Sequence, residues 1–185
     1  MACKNLLIRR NQKLFVMNEL WTMAWAGSVQ RANLYKKNAD INSEDVKRFR
    51  DSLIKYIKAH LIPQYFEGCS EEQHYGNIES LIEQAKEDVG QNILTDGSYR
   101  YGIAQKLLNL ALKYYWCLGE INAPPHCPVD SIVINQTKYK DEIKWTKIRE
   151  RSEYQKIIEA IKEKATEQQL SIPEWELELF NKRFG

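Results

Sequence analysis

The sequence predicts an all-α protein: a single helical domain, 1–185, of about six or seven helices. Three observations carry this reading. Apolar residues recur at three- and four-residue spacing through most of the chain, the period of one buried helix face. Eight glycines and five prolines in 185 residues are too few for the many tight turns of an all-β fold. Helix start and stop signals fall at the ends of the periodic stretches, notably Ser43-Glu44-Asp45, Pro63 and Ser171-Ile172-Pro173-Glu174,. The length suits one domain. It also allows two lobes, 1–97 and 98–185, sharing a central helix. The 43% hydrophobic and 28% charged shares are those of an ordinary globular chain. A net charge of +2 permits contact with an anion without requiring one.

Element by element, Leu6 to about Lys37 reads as the first helix. Phe15, Leu20, Trp21, Ala24, Trp25 and Val29 form its core face, with Gly27-Ser28 as a point of division,. After a turn at Asn38–Asn42, Ser43 offers a cap, and Glu44 and Asp45 complement the helix dipole,. Val46, Phe49, Leu53, Ile54, Ile57 and Leu61 make the apolar face of this second helix, and Pro63 ends it,. Its outer face carries Lys47, Arg48, Arg50, Lys55 and Lys58. Gln64–Gly76 reads as a loop, followed by a helix through Ile78, Leu81, Ile82, Ala85 and Val89 that Gly90 terminates,. Thr95-Asp96-Gly97-Ser98 is a turn,.

The central stretch runs from Tyr99 to Ile134. On a wheel of 100° per residue, Ile103, Leu107, Leu110, Ala111, Tyr114 and Leu118 fall together, and Tyr101, Leu108, Leu112 and Tyr115 widen the face. A helix apolar over most of its circumference is a buried one. Its narrow polar stripe is Gly102, Gln105, Lys106, Asn109 and Lys113. Buried charge must be paired, solvated or put to use. A proline-rich crossing then ends on Pro128-Val129-Asp130, with Asp130 placed as an N-cap,. Ser131–Asn135 continues as helix or short strand, and Thr137–Lys144 is a charged, exposed loop. Trp145 and Ile148 return the chain to the core. Tyr154, Ile157, Ile158, Ile161 and Ala165 mark an amphipathic helix,. Ser171 and Glu174 form a capping box for a last helix docked by Trp175, Leu179 and Phe180,.

Several function classes find no support. No apolar run approaches the roughly twenty residues of a membrane span, and Met1–Lys13 lacks the apolar core of a signal peptide,. Four cysteines without paired spacing read as reduced thiols in a cytoplasmic setting. Cys69, His74, Cys117, His126 and Cys127 are the soft ligands, but no Cys-x-x-Cys or His-Glu-x-x-His spacing joins them,. They read as thiols and a loop histidine, with no metal and no cofactor. Phosphate-cradling glycine loops are absent,. The chemistry left is Lys106 with Asp130. A lysine on a buried helix loses charge stabilisation by desolvation and becomes a nucleophilic amine. An aspartate fixed at a helix start can orient a water or stabilise developing positive charge.

Gly102-Ile103-Ala104-Gln105-Lys106, followed some two dozen residues on by Pro128-Val129-Asp130, resembles the hairpin end and following helix of the helix–hairpin–helix DNA glycosylases, most nearly the 8-oxoguanine glycosylase branch. The resemblance covers Gly102 to Ile134, and Ala104 stands where that family has a second hairpin glycine. It implies an all-α protein that flips a damaged base out of duplex DNA and attacks the sugar C1′ with a lysine amine. The resulting Schiff base permits strand cleavage. On this likeness Lys106 is the nucleophile, Asp130 the second catalytic residue and Gly102 a hairpin glycine. Asn109, Lys113, Trp116 and His126 are placed around the substrate, with Trp116, Tyr115 or Phe184 to stack on the base and Lys113, Lys138 and Lys140 to meet phosphates. The alternative is a non-catalytic helical module that binds nucleic acid or a protein through the basic faces Lys47–Lys58 and Lys138–Arg151.

Overall fold

A computed structural model of the chain describes residues 2–37, 41–87 and 90–183. Among them the protein is all-α. The order is α1 (Ala2–Val29), α2 (Ser43–Tyr56), α3 (Glu71–Glu87), the single turn α4 (Gly90–Ile93), α5 (Tyr101–Cys117), the single turn α6 (Ser131–Ile134), α7 (Arg151–Glu167) and α8 (Ile172–Asn181). The one strand-like feature among the described residues is an isolated antiparallel bridge between Tyr35 and Leu94, with Lys36 N–H donating to Ile93 O and Thr95 N–H to Leu34 O, both at 2.9 Å. No helix among the described residues is long and apolar enough to cross a membrane.

α5 is the axis, and every residue from Tyr101 to Asn109 is buried. α1 packs along it through Trp21, Ala24 and Trp25, and α3 and α7 cover other faces. The short 3₁₀ turn Trp145–Lys147 closes its N-terminal end. A single cluster of buried apolar side chains runs from Trp21 to Trp175, so residues on both sides of position 97 share one core. Burial of this apolar area is the main stabilising term, about 25 cal/mol per Å² removed from water.

Local chemistry explains most boundaries. Asn42, one residue earlier than expected, caps α2, its Oδ1 accepting from Glu44 N–H at 3.0 Å. Asp130 caps α6, accepting from Ile132 N–H at 2.9 Å and Val133 N–H at 3.2 Å. α7 and α8 both begin with reciprocal capping boxes, Glu150 with Glu153 and Ser171 with Glu174. Pro63 does not stop the chain's helical course. Ile57–Leu61 widens into a π turn and Ile62–Tyr65 tightens into a 3₁₀ turn, which sets the proline near a helix start, where its missing N–H is an orphan anyway.

Five expectations need correction. α1 passes through Gly27-Ser28 without a break. Gly27 instead leaves room for Leu110, whose Cδ1 lies 2.9 Å from where a Cβ would sit. Phe15 is not in the core. It is 66% exposed, beside exposed Leu14 and Val16; between positions 8 and 19 only Met17 is partly covered. α3 starts at Glu71 rather than after Gly76, and Gly90 begins a short turn instead of ending a helix. Leu118, assigned to the face of α5, is exposed past its last turn. Val89 and the Asn38–Asp40 part of the turn lie outside the described residues.

Candidate functional site

Two ion pairs bridge α5 to the segments that fold over it. Lys106 Nζ lies 3.4 Å from Asp130 Oδ2, and Lys113 Nζ lies 2.7 Å from Glu176 Oε2. The lysines are seven residues apart, two turns of helix, so they point the same way. Each amine also sits over an aromatic ring, Lys106 at 4.2 Å from the centroid of Trp145 and Lys113 at 4.5 Å from that of Phe180, close enough for cation–π attraction. The four charged groups share a cleft of about 130 Å³, walled on its apolar side by Leu110, Tyr114 and Phe180.

The electrostatics of the two pairs differ. Burial pulls the Lys106 pKa below the usual lysine value; attraction to Asp130 opposes this and repulsion from Arg31 adds to it. The result favours the neutral amine more than in water. Asp130 is held from the other side, with Oδ1 occupied by the α6 amides and Oδ2 left for Lys106. The carboxyl of Glu176 is pushed up by burial, with Lys113 pulling it back and Asp130 pushing it further.

What brings Asp130 to Lys106 is Gln105, a residue the sequence shows only as one member of a polar stripe. Its side-chain amide brackets the backbone of Val129: Nε2 donates to Val129 O at 2.8 Å and to Gly102 O at 2.9 Å, while Oε1 accepts from Val129 N–H at 3.2 Å. The Pro128-Val129-Asp130 arm is thereby tied to α5 beside the lysine. Asn109 Nδ2 donates to Gln105 Oε1 at 3.2 Å and to Tyr154 Oη at 3.0 Å. Tyr154 donates in turn to His126 Nδ1 at 3.2 Å, and His126 Nε2 meets Glu71 Oε1 at 3.2 Å. Glu71 favours a charged imidazole, but burial, helped by Lys162, outweighs it and drives the His126 pKa down to about 3. The neutral ring accepts at Nδ1 and donates from Nε2. His74, fully buried and 4.6 Å from His126 between ring centroids, is also held well below the ordinary histidine value by burial and by His126.

The structure therefore gathers Lys106, Asp130 and Lys113 and separates the rest. Asn109 and His126 are fully buried links of a polar chain in the core and do not line the cleft. Trp116 is half-buried near the end of α5 and also lies off the cleft. Gly102 is not in a hairpin. It is the second residue of α5, donating to Ile148 O at 3.0 Å, and a Cβ there would stand 1.8 Å from the Trp145 carbonyl oxygen. Its role is to let two backbones touch. Lys138 is exposed and 3.7 Å from Glu163, Lys140 is exposed, and Phe184 lies outside the described residues. Glu176 and Phe180 carry no sequence signal beyond their places on an amphipathic helix. Among the described residues no three His, Cys, Asp or Glu side chains converge to hold a metal, and Cys69, Cys117 and Cys127 are free thiols. No protein-family model, curated protein or solved structure matches the chain.

Proposed function

We propose that this protein is a lysine-dependent DNA glycosylase, with Lys106 as nucleophile and Asp130 as its acid–base partner. The observation that carries the reading is the 3.4 Å approach of a desolvated amine to a carboxylate fixed by two backbone N–H groups, at the wall of a cleft. In the reaction the neutral amine attacks the sugar C1′. The Lys106 N–C1′ bond forms as the C1′–base bond breaks, and the base leaves with the bonding pair and takes up a proton. The nitrogen loses its extra proton to Asp130 or to water, and opening of the sugar ring gives a Schiff base. Phe180 and Tyr114 supply the aromatic wall against which an extruded base packs,.

The test is reductive trapping. The protein is mixed with duplexes carrying 8-oxoguanine, uracil or an alkylated base, and borohydride is added. A covalent protein–DNA adduct that disappears in Lys106→Gln supports the reading. No adduct with any substrate, or an adduct that survives the substitution, removes it.

One observation favours a second reading, a non-catalytic module for nucleic acid or a protein partner. Each cleft lysine already has both a carboxylate and an aromatic ring, an arrangement that also serves structure alone. A salt-dependent gel shift without adduct or cleavage selects nucleic-acid binding.

A further inference from the structure

The Lys106–Asp130 pair has a second side. Behind it, away from Lys113 and Glu176, lies a separate hollow of about 190 Å³ between the end of α1 and the start of α6, lined by Gln30, Arg31, Lys106, Asp130, Ser131 and Trp145. A water occupies about 30 Å³ of liquid, so the hollow has room for a small hydrated group or a tetrahedral ion.

Its charges are unbalanced. Arg31 and Lys106 both face it, against the single carboxylate of Asp130. That carboxylate is already engaged at both oxygens, by the α6 amides and by Lys106. Arg31 is exposed and has no carboxylate partner among the described residues. It is close enough to Lys106 for the two positive charges to repel. Such repulsion is relieved when an anion enters between them. The polar groups around the cations fit the same ligand. Ser131 is exposed and offers a hydroxyl donor, and Gln30, also lining the hollow, offers an amide. The guanidinium presents several N–H donors in one plane, which suits two oxygens of a phosphate.

We propose that this hollow is an oxyanion site, in which the Arg31 guanidinium, the Ser131 hydroxyl and the Lys106 amine bind a phosphate group. The ligand is a free phosphate ion or a phosphodiester of a nucleic-acid strand, which share the same charged oxygens. The site does not depend on Lys106 acting as a nucleophile, so it stands or falls separately from the glycosylase reading.

The experiment needs no damaged DNA. The full chain is titrated with inorganic phosphate or with the dinucleotide dTpdT. Two readouts are followed: the shift of the Trp145 indole N–H in ¹H–¹⁵N spectra, and protection of Lys106 from acetylation, read by mass spectrometry with exposed Lys47 as internal reference. Saturable change at Trp145 and protection of Lys106, with a midpoint raised at least tenfold by Arg31→Gln and about threefold by Ser131→Ala, are expected. Arg31 is on the surface, so its variant folds, and Lys58→Gln, remote from the hollow, leaves the midpoint unchanged. Tighter binding of dTpdT assigns the site to a strand backbone, and tighter binding of inorganic phosphate assigns it to the free ion. A linear, non-saturating response to both ligands, or a midpoint that Arg31→Gln does not move, overturns the proposal.

Discussion

Gly102→Ala and Gly76→Ala form a pair of substitutions with opposite expected signs, although both glycines lie in helices. Helix propensity alone favours alanine at either position by about 1 kcal/mol. At Gly76, in α3, a new Cβ meets nothing within 4 Å, so the substitution is stabilising by about 0.5–1 kcal/mol. At Gly102 the Cβ lands 1.8 Å from the Trp145 oxygen and 3.2 Å from Ile148 Cβ. Relief to the 3.0 Å that real Cβ contacts respect requires the Trp145–Ile148 segment to retreat by at least 1.2 Å. That movement stretches the Gly102 N–H to Ile148 O bond from 3.0 Å and draws the Trp145 ring from under Lys106. Overpacking costs about 1–3 kcal/mol and the weakened hydrogen bond about 1 kcal/mol. With the propensity gain subtracted, the net is a loss of about 1–3 kcal/mol. For a chain of this size that lowers Tm by about 2–12 °C. Urea and thermal unfolding, followed by circular dichroism, measure both variants. Equal stabilisation by the two alanines would refute the close-approach account of Gly102.

Other expectations follow from the buried polar groups. His126 and His74 have folded-state pKa values below the unfolded value of 6.5, so their contribution is complete above pH 6.5 and is lost as pH falls. At about 1.4 kcal/mol per pH unit, His126 alone removes about 2 kcal/mol between pH 7.5 and pH 5.0. His74 acts in the same direction, and a flat urea midpoint over that range would contradict both. Lys113→Met leaves the Glu176 carboxylate buried and unpaired, at a cost of about 3–5 kcal/mol. Because burial raises that carboxyl's pKa, the deficit shrinks as pH is lowered and the group protonates, and adding Glu176→Leu recovers most of it; an unchanged deficit in the double variant would rule out the unpaired charge as its cause. Tyr154→Phe removes one of the two acceptors of Asn109 Nδ2 and the donor to His126 Nδ1 and destabilises by about 1–3 kcal/mol, whereas a neutral effect in denaturant melts would show that the chain of bonds is dispensable.

How far the sequence reaches is clear from particular residues. Three-four periodicity marked α5 as buried, and the boundary signals at Asp130, Ser171 and Glu174 marked real caps, because a cap is a contact between residues two or three apart. Phe15 shows the limit of periodicity. An apolar residue in register with a core face is buried only if another element reaches it, and between positions 8 and 19 every residue but Met17 is exposed. Gly102 shows a second limit, since the segment that presses on it, Trp145–Ile148, lies more than forty residues away.

Helix content, the burial of α5 with its lysine stripe and the capping role of Asp130 were thus determined by local spacing alone. Tertiary structure decided the rest: that Gln105 ties Val129 in place, that Glu176 reaches Lys113 from α8, and that Asn109 and His126 belong to a core network and not to the cleft. The physical reason is that hydrogen-bond partners and desolvation are set by which surfaces meet. Side chains with identical local signals are therefore sorted into solvent, cleft or core only when the helices pack.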